Sequence, residues 1–143
     1  MLHHIEAYEH YIYSIAENYP EINFSKLIVK RMGPHFAFVE GDIYFNEEYR
    51  LKVFEAVDFD LGRIESYGYE IFKEDKKVYW YDSHPPPNDP SLAKTHPHHK
   101  HISPDIKHHR IPTEDIKFDR PNLNFLIEEI IEKLKLSQHS ETT

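Results

Sequence analysis

The chain contains no cysteine, which excludes disulfide scaffolds, cysteine–zinc centres and thiol nucleophiles. No apolar run approaches the roughly 20 residues that a helix needs to span a bilayer, so no membrane partner is expected. The start shows neither the basic flank nor the apolar stretch of a signal peptide, and a cytoplasmic protein is the expectation. An excess of basic charge is missing too: 17 Lys and Arg stand against 25 Asp and Glu, a net charge of −8. That balance disfavours general nucleic-acid binding, because neutralising phosphates requires a cationic surface. Glycine is scarce at four residues, whereas ten prolines crowd the later part of the chain.

What is present suits a folded protein. Hydrophobic residues make up 39% of the 143 and charged residues 29%, outside the disordered range. The length fits one domain with a normal core, expected over residues 1–136, with 137–143 as a frayed tail. Ile5, Tyr8, Ile12, Ile15 and Tyr19 recur at spacings of three and four with Glu6, Glu9 and Glu17 between them, which predicts an amphipathic helix. Pro20 ends it, since a residue before proline is pushed out of the helical region.

From there the period changes to two. Strands are predicted over Phe24–Arg31, Phe36–Phe45, Leu51–Phe59, Ile64–Phe72 and Val78–Tyr81. Gly41 is placed as a bulge or turn, and short turns at Asp60–Arg63 and Glu74–Lys77 favour antiparallel neighbours. A final amphipathic helix is expected near Asn122–Leu136. Its stripe is Leu123, Leu126, Ile127, Ile130, Ile131 and Leu134, with Glu129 four residues before Lys133. The predicted class is α+β. It comprises an N-terminal helix, an antiparallel meander of about five strands, a long His/Pro-rich loop over 84–112, and a C-terminal helix packed on one sheet face. An exposed edge of such a meander could also pair with a second copy, giving a homodimer.

The chemistry is concentrated in the loop. From Asp82 to Pro112 the prolines remove backbone donors and predict irregular chain. Seven of the twelve histidines fall there: His84, His96, His98, His99, His101, His108 and His109. Lys94, Lys100, Lys107 and Arg110 outnumber Asp89 and Asp105 in the same stretch, so it is the one locally positive segment. Three readings stand side by side. In the first the loop is a solvated polar segment. In the second, imidazoles such as His96, His99 and His101 bind zinc or nickel, although no ligand set of known spacing is present. In the third no cofactor is needed: His98, His99 and His101 act as acid and base, with Lys100 or Arg110 supplying cationic charge. In an extended segment His99 and His101 would share a face. Cleavage of RNA without a metal asks for those components, and His99 and His101 are the candidates for base and acid. Tyr67, Tyr69, Tyr79 and Tyr81 are expected in the core or on a sheet face, and Glu47, Glu48, Asp58 and Asp60 at turns. His3, His4, His10 and His35 are read as surface or half-buried groups.

The second half also resembles a known family. Tyr67-Gly68-Tyr69, a charged hairpin and Val78-Tyr79-Trp80-Tyr81-Asp82 are followed by His84-Pro85, then Pro97-His98-His99-Lys100-His101, then the Ile/Leu/Glu-rich helix. This order, from about Gly62 to Leu134, is similar to the TumE family of toxins of prokaryotic toxin–antitoxin pairs. The resemblance implies a small cytoplasmic toxin held inactive by an antitoxin, usually of the helix-turn-helix type. By position it implies Tyr69, Asp82, His84, His98, His99, Lys100 and His101 as the motif residues. Tyr69, Asp82, His84 and Arg110 are read as the candidates for contact with substrate. Departures from the family pattern are Gly68, where a larger and often basic residue is expected, and the extra histidines His96, His108 and His109.

Overall fold

The computed structural model describes the backbone of residues 1–83, 99–102, 110–112 and 115–141, and side chains over 1–83 and 115–136. Helix α1 spans Ile5–Ser14 and tightens into a 3-10 turn over Ile15–Asn18. Strands follow at Ile22–Ser25 (β1), Ile28–Arg31 (β2), Phe36–Phe45 (β3), Tyr49–Asp58 (β4), Arg63–Lys73 (β5) and Lys76–Asp82 (β6). Two short strands, His99–Ile102 (β7) and Arg110–Pro112 (β8), precede helix α2 at Leu123–Glu141. Among the described residues the eight strands form one antiparallel sheet in the order β1-β3-β4-β5-β6-β7-β8, with β2 also paired to β3.

The periodicity of the sequence maps onto this order, with two corrections. The predicted strand over 24–31 divides into β1 and β2, because the chain turns at Lys26 and Leu27 to press on β3. Gly41 makes that approach feasible: its φ is 138°, and a Cβ there would lie 2.3 Å from the Lys26 carbonyl oxygen. The Lys26 amide in turn donates to the Asp42 carbonyl at 2.8 Å. The second correction concerns the stretch from Asp82 to Pro112, which is not wholly irregular. Between Pro97 and Pro104 lies a proline-free window, and β7 forms inside it. β8 ends on Pro112 at the sheet's outer edge, where proline's missing amide is tolerated.

Alternation decides which face is buried. Val39, Ile43, Leu51, Val53, Ile64, Tyr67, Tyr69, Ile71, Tyr79 and Tyr81 point to one side and meet both helices. α1 contributes Ile5, Tyr8 and Ile12, and α2 contributes its whole predicted stripe, Leu123 to Leu134. Both amphipathic elements thus lie on one face, as their periodicity requires. The opposite face carries no helix among the described residues, and Phe24, Ile28 and Phe54 stand exposed on it.

One group on the covered face breaks the apolar pattern. Glu55 lies in phase with Leu51, Val53 and Val57 and is fully buried. The Tyr8 hydroxyl from α1 and the Tyr69 hydroxyl from β5, the latter at 2.5 Å, both donate to its carboxylate. Asn122, immediately before α2, donates from Nδ2 to the Tyr69 oxygen at 3.2 Å and to the Lys117 carbonyl at 2.8 Å. Its Oδ1 accepts the Lys117 amide at 3.0 Å. Four elements of the fold therefore meet on one polar chain. Burial drives the Glu55 carboxyl above the usual carboxylate range, and the two tyrosine hydrogen bonds only partly oppose this. Burial and the nearby Glu55 push the Tyr8 and Tyr69 phenols well up in turn.

The exposed ion pair between Arg31 on β2 and Glu9 on α1 is a minor contributor by comparison. Solvent screens such a pair, whereas a buried hydroxyl left without its acceptor costs about 1–3 kcal/mol. Glu55→Ala should accordingly lower the unfolding free energy by roughly 2–4 kcal/mol, and Tyr8→Phe by about 1 kcal/mol, both read from urea midpoints. The pH dependence has a definite sign. A carboxyl whose folded pKa is raised binds its proton more tightly when folded, so stability falls as pH rises from the unfolded value, about 4.3, toward the folded one. Glu55→Gln removes that slope, and its stability should gain on the wild type between pH 4.5 and pH 7. A difference between the two proteins that is constant with pH would contradict a raised Glu55 pKa.

Candidate functional site

β6 ends at Asp82, and the residue that follows it is held in place. The Ser83 hydroxyl accepts the Tyr67 amide at 2.9 Å and donates to the Tyr67 carbonyl at 3.3 Å, while the Ser83 amide donates to that carbonyl at 3.2 Å. A side chain here replaces the next rung of the ladder. Asp82, one residue earlier, accepts a hydrogen bond from the Trp80 indole at 3.2 Å.

The backbone register assembles several of the sequence-derived residues at this end of the sheet. On β5 and β6 Gly68 pairs with Asp82, Tyr69 with Tyr81 and Glu70 with Trp80. On β7 His99 stands opposite Asp82, Lys100 opposite Tyr81 and His101 opposite Trp80. β8 then sets Arg110 opposite His101. His99, Lys100, His101, Arg110 and Asp82 thus occupy adjoining positions on three neighbouring strands. His84, His96 and His98 lie outside the described residues, and with them part of the alternative metal set. Among the described residues no group of three or more His, Asp or Glu is arranged to hold a metal ion.

Tyr69 is placed elsewhere. It is completely buried on the helix-covered face, and its hydroxyl is engaged by Glu55 and Asn122. The other three tyrosines singled out in the sequence are core residues as well. Tyr67 stacks on Tyr69 at 4.9 Å, and Tyr81 meets Phe125 of α2 edge-on at 6.2 Å. The Tyr81 hydroxyl donates to both Glu129 oxygens, at 3.1 and 2.9 Å, and the Lys133 ammonium lies 4.9 Å from the Tyr79 ring centre. Burial first, and the Glu129 carboxylate second, push the Tyr79 and Tyr81 phenols well up. Sequence spacing shows Glu129 and Lys133 only as helix neighbours. Their engagement with β6 depends on how α2 crosses the sheet, and spacing along one helix does not carry that information.

The turn residues behave as their chemistry suggests. Asp58 accepts the Asp60 and Leu61 amides at 2.9 and 3.0 Å, and His3, His4, His10 and His35 are exposed. A cleft of about 480 Å³, lined in part by Tyr44, Glu47, Glu48, Arg50 and Asp75, opens at the other end of β5 and β6 from the histidines. Among the described residues no helix is long and apolar enough to cross a membrane.

Comparison with known proteins adds one finding. No curated protein and no solved structure matches the chain. The family model described as toxin TumE matches residues 12–134. The match takes in the Tyr-Asp end of β6, the histidine strand and α2, and it reaches back through the first four strands, where the sequence shows no signature of its own. The chain belongs to the TumE toxin family.

Proposed function

We propose that this toxin is a metal-independent endoribonuclease whose acid and base are histidines of β7. The observation that carries the reading is the register: His99 and His101, two positions apart on one strand, adjoin Lys100 and Arg110 at a single end of the sheet. Nearby cations suit a reaction that develops negative charge on phosphorus-bound oxygens.

The chemistry is transesterification. One neutral imidazole removes the proton of a ribose 2′-hydroxyl, and the 2′-oxygen attacks the adjacent phosphorus. The bond to the 5′-oxygen breaks, and a second, protonated imidazole donates its proton to that oxygen. The products are a 2′,3′-cyclic phosphate and a free 5′-hydroxyl, with charge and protons balanced. Arg110, at the position opposite His101, serves the phosphorane charge in this scheme, and Asp82, at the position opposite His99, adjoins the path of the substrate. A family of toxins implies an antitoxin partner, and the helix-turn-helix type is the expected class.

Regulated expression of the wild type should arrest growth and fragment total RNA, and His99→Ala/His101→Ala should abolish both. Loss of one acid or base should slow cleavage about 10²–10⁴-fold in vitro, and a chelator should leave the rate unchanged. Arrest without RNA damage would replace the nuclease by a non-catalytic toxin that acts by docking. Stoichiometric zinc in protein purified without a metal column, with activity lost on its removal, would replace it by a metal-dependent one.

A further inference from the structure

The face of the sheet that bears no helix among the described residues has a composition unlike an ordinary solvated surface. Phe36 meets Phe38 edge-on at 5.5 Å, and Phe38 stacks on Phe54 at 5.8 Å. Phe54 is 40% exposed and Ile28, on neighbouring β2, is 53% exposed. Next to Phe54 across the ladder, on β5, is Gly68. A Cβ at Gly68 would meet nothing within 4 Å, and its backbone is not in the left-handed region. Neither crowding nor backbone strain calls for glycine there, and glycine weakens a strand interior. Its effect is an open shelf between the Phe54 ring and Asp82, the residue opposite Gly68 on β6. Two strand spacings, roughly 10 Å, separate Phe54 from Asp82, and one more spacing reaches the position of His99.

Two of the acidic groups on this face are neutralised by neighbouring cations. Asp42 is held by Arg50 at 3.0 Å and Glu70 by Lys77 at 3.3 Å. Lys30, opposite Phe38, and Lys52, two residues before Phe54, are exposed and enter no ion pair among the described residues. Glu40, opposite Phe54, is their acidic neighbour. Aromatic faces interleaved with unpaired lysines on an open antiparallel sheet supply the two components that bind unpaired nucleotides: a surface for stacking bases and cations for the phosphates. A duplex has its bases already stacked and cannot use the rings.

We infer that the open sheet face is a platform for single-stranded RNA, with a base stacked on Phe54 over Gly68 and phosphates near Lys30 and Lys52, leading the strand toward β7. This deepens the ribonuclease reading and rests on it for the direction of the strand, but binding is measurable without cleavage.

The test uses the full chain carrying His99→Ala/His101→Ala and a fluorescent RNA of about 12 nucleotides, single-stranded or annealed to its complement. Anisotropy should show tighter binding of the single strand. Phe54→Ala and Gly68→Leu, both on the face remote from the helices, should each weaken binding at least about fivefold, the range for unstacking one base from an aromatic ring. Phe54→Trp should retain it, which separates stacking from a folding defect. Glu40→Gln should tighten binding, and Lys30→Glu/Lys52→Glu should flatten the salt dependence by about 0.7 for each phosphate that is no longer neutralised. Unchanged affinity in Phe54→Ala and Gly68→Leu, or no preference for the single strand, would overturn the platform even if the wild type cleaves RNA. Loss of binding in those variants alongside a non-cleaving wild type would uphold the platform and sink the nuclease. If the same substitutions spared RNA binding and abolished capture by the antitoxin, the face would be a protein-docking surface and the inference would fail.

Discussion

Glu55 is the group around which the rest of the molecule is arranged. A carboxyl in a fully apolar layer is costly unless its oxygens are satisfied, and here the two donors come from different elements, Tyr8 on α1 and Tyr69 on β5. Through Tyr69 the chain of contacts continues to Asn122 at the entrance to α2. Apolar burial places both helices on one face of the sheet but is indifferent to small slides along it. The hydrogen bonds are directional, so they fix where α1 crosses β4 and where α2 begins. The same network also fixes what is left uncovered: with both helices anchored above Glu55, the Phe38–Phe54 face has no intramolecular partner among the described residues.

The end of the sheet that carries the histidines depends on this arrangement at one remove. β7 adds to β6, and β6 is held from beneath by Tyr79 and Tyr81 packing on α2 through Glu129, Lys133 and Phe125. Ser83 then closes the last rung with Tyr67. The residues proposed for chemistry sit on two short strands, β7 and β8, while the side chains that position them are buried tyrosines of β6. This division suits a site borne by a chain segment and oriented by a rigid scaffold.

Much of the fold is legible in the sequence because its elements are strongly periodic. Ile5, Tyr8, Ile12 and Ile15 give α1, Leu123 to Leu134 give α2, and the alternating runs of β3 to β6 lie close to their predicted bounds. The split between β1 and β2 is less visible, since it arises from the close approach of Lys26 to Gly41 across the sheet. Glu55 carries a signal of its own, which periodicity of apolar residues passes over: it occupies the inward phase of an apolar strand, a position where a charged residue must find buried partners. For the candidate site, the order Asp82, His99, Lys100, His101 is readable as a motif. The pairing that sets His99 against Asp82 and Arg110 against His101 is not, because strand pairing over such separations is a tertiary property. Tyr69 illustrates the limit of carrying a motif position over by likeness. Its place in the motif is clear, yet its hydroxyl is occupied within the core.

The composition of the outermost strand has a consequence for growth of the sheet. A sheet with two free rims invites further strands from other molecules, and a protein made in quantity must resist that. β8 is three residues long and one of them is Pro112, so among the described residues at most two amide hydrogens lie along that rim. At the opposite rim β1 and β2 are separate four-residue pieces, and the β1 ladder shifts register between Ile22 and Phe24. Neither border presents the long, evenly spaced row of donors and acceptors that templates a fibril. Polymerisation along the hydrogen-bonding direction is thereby discouraged at both ends.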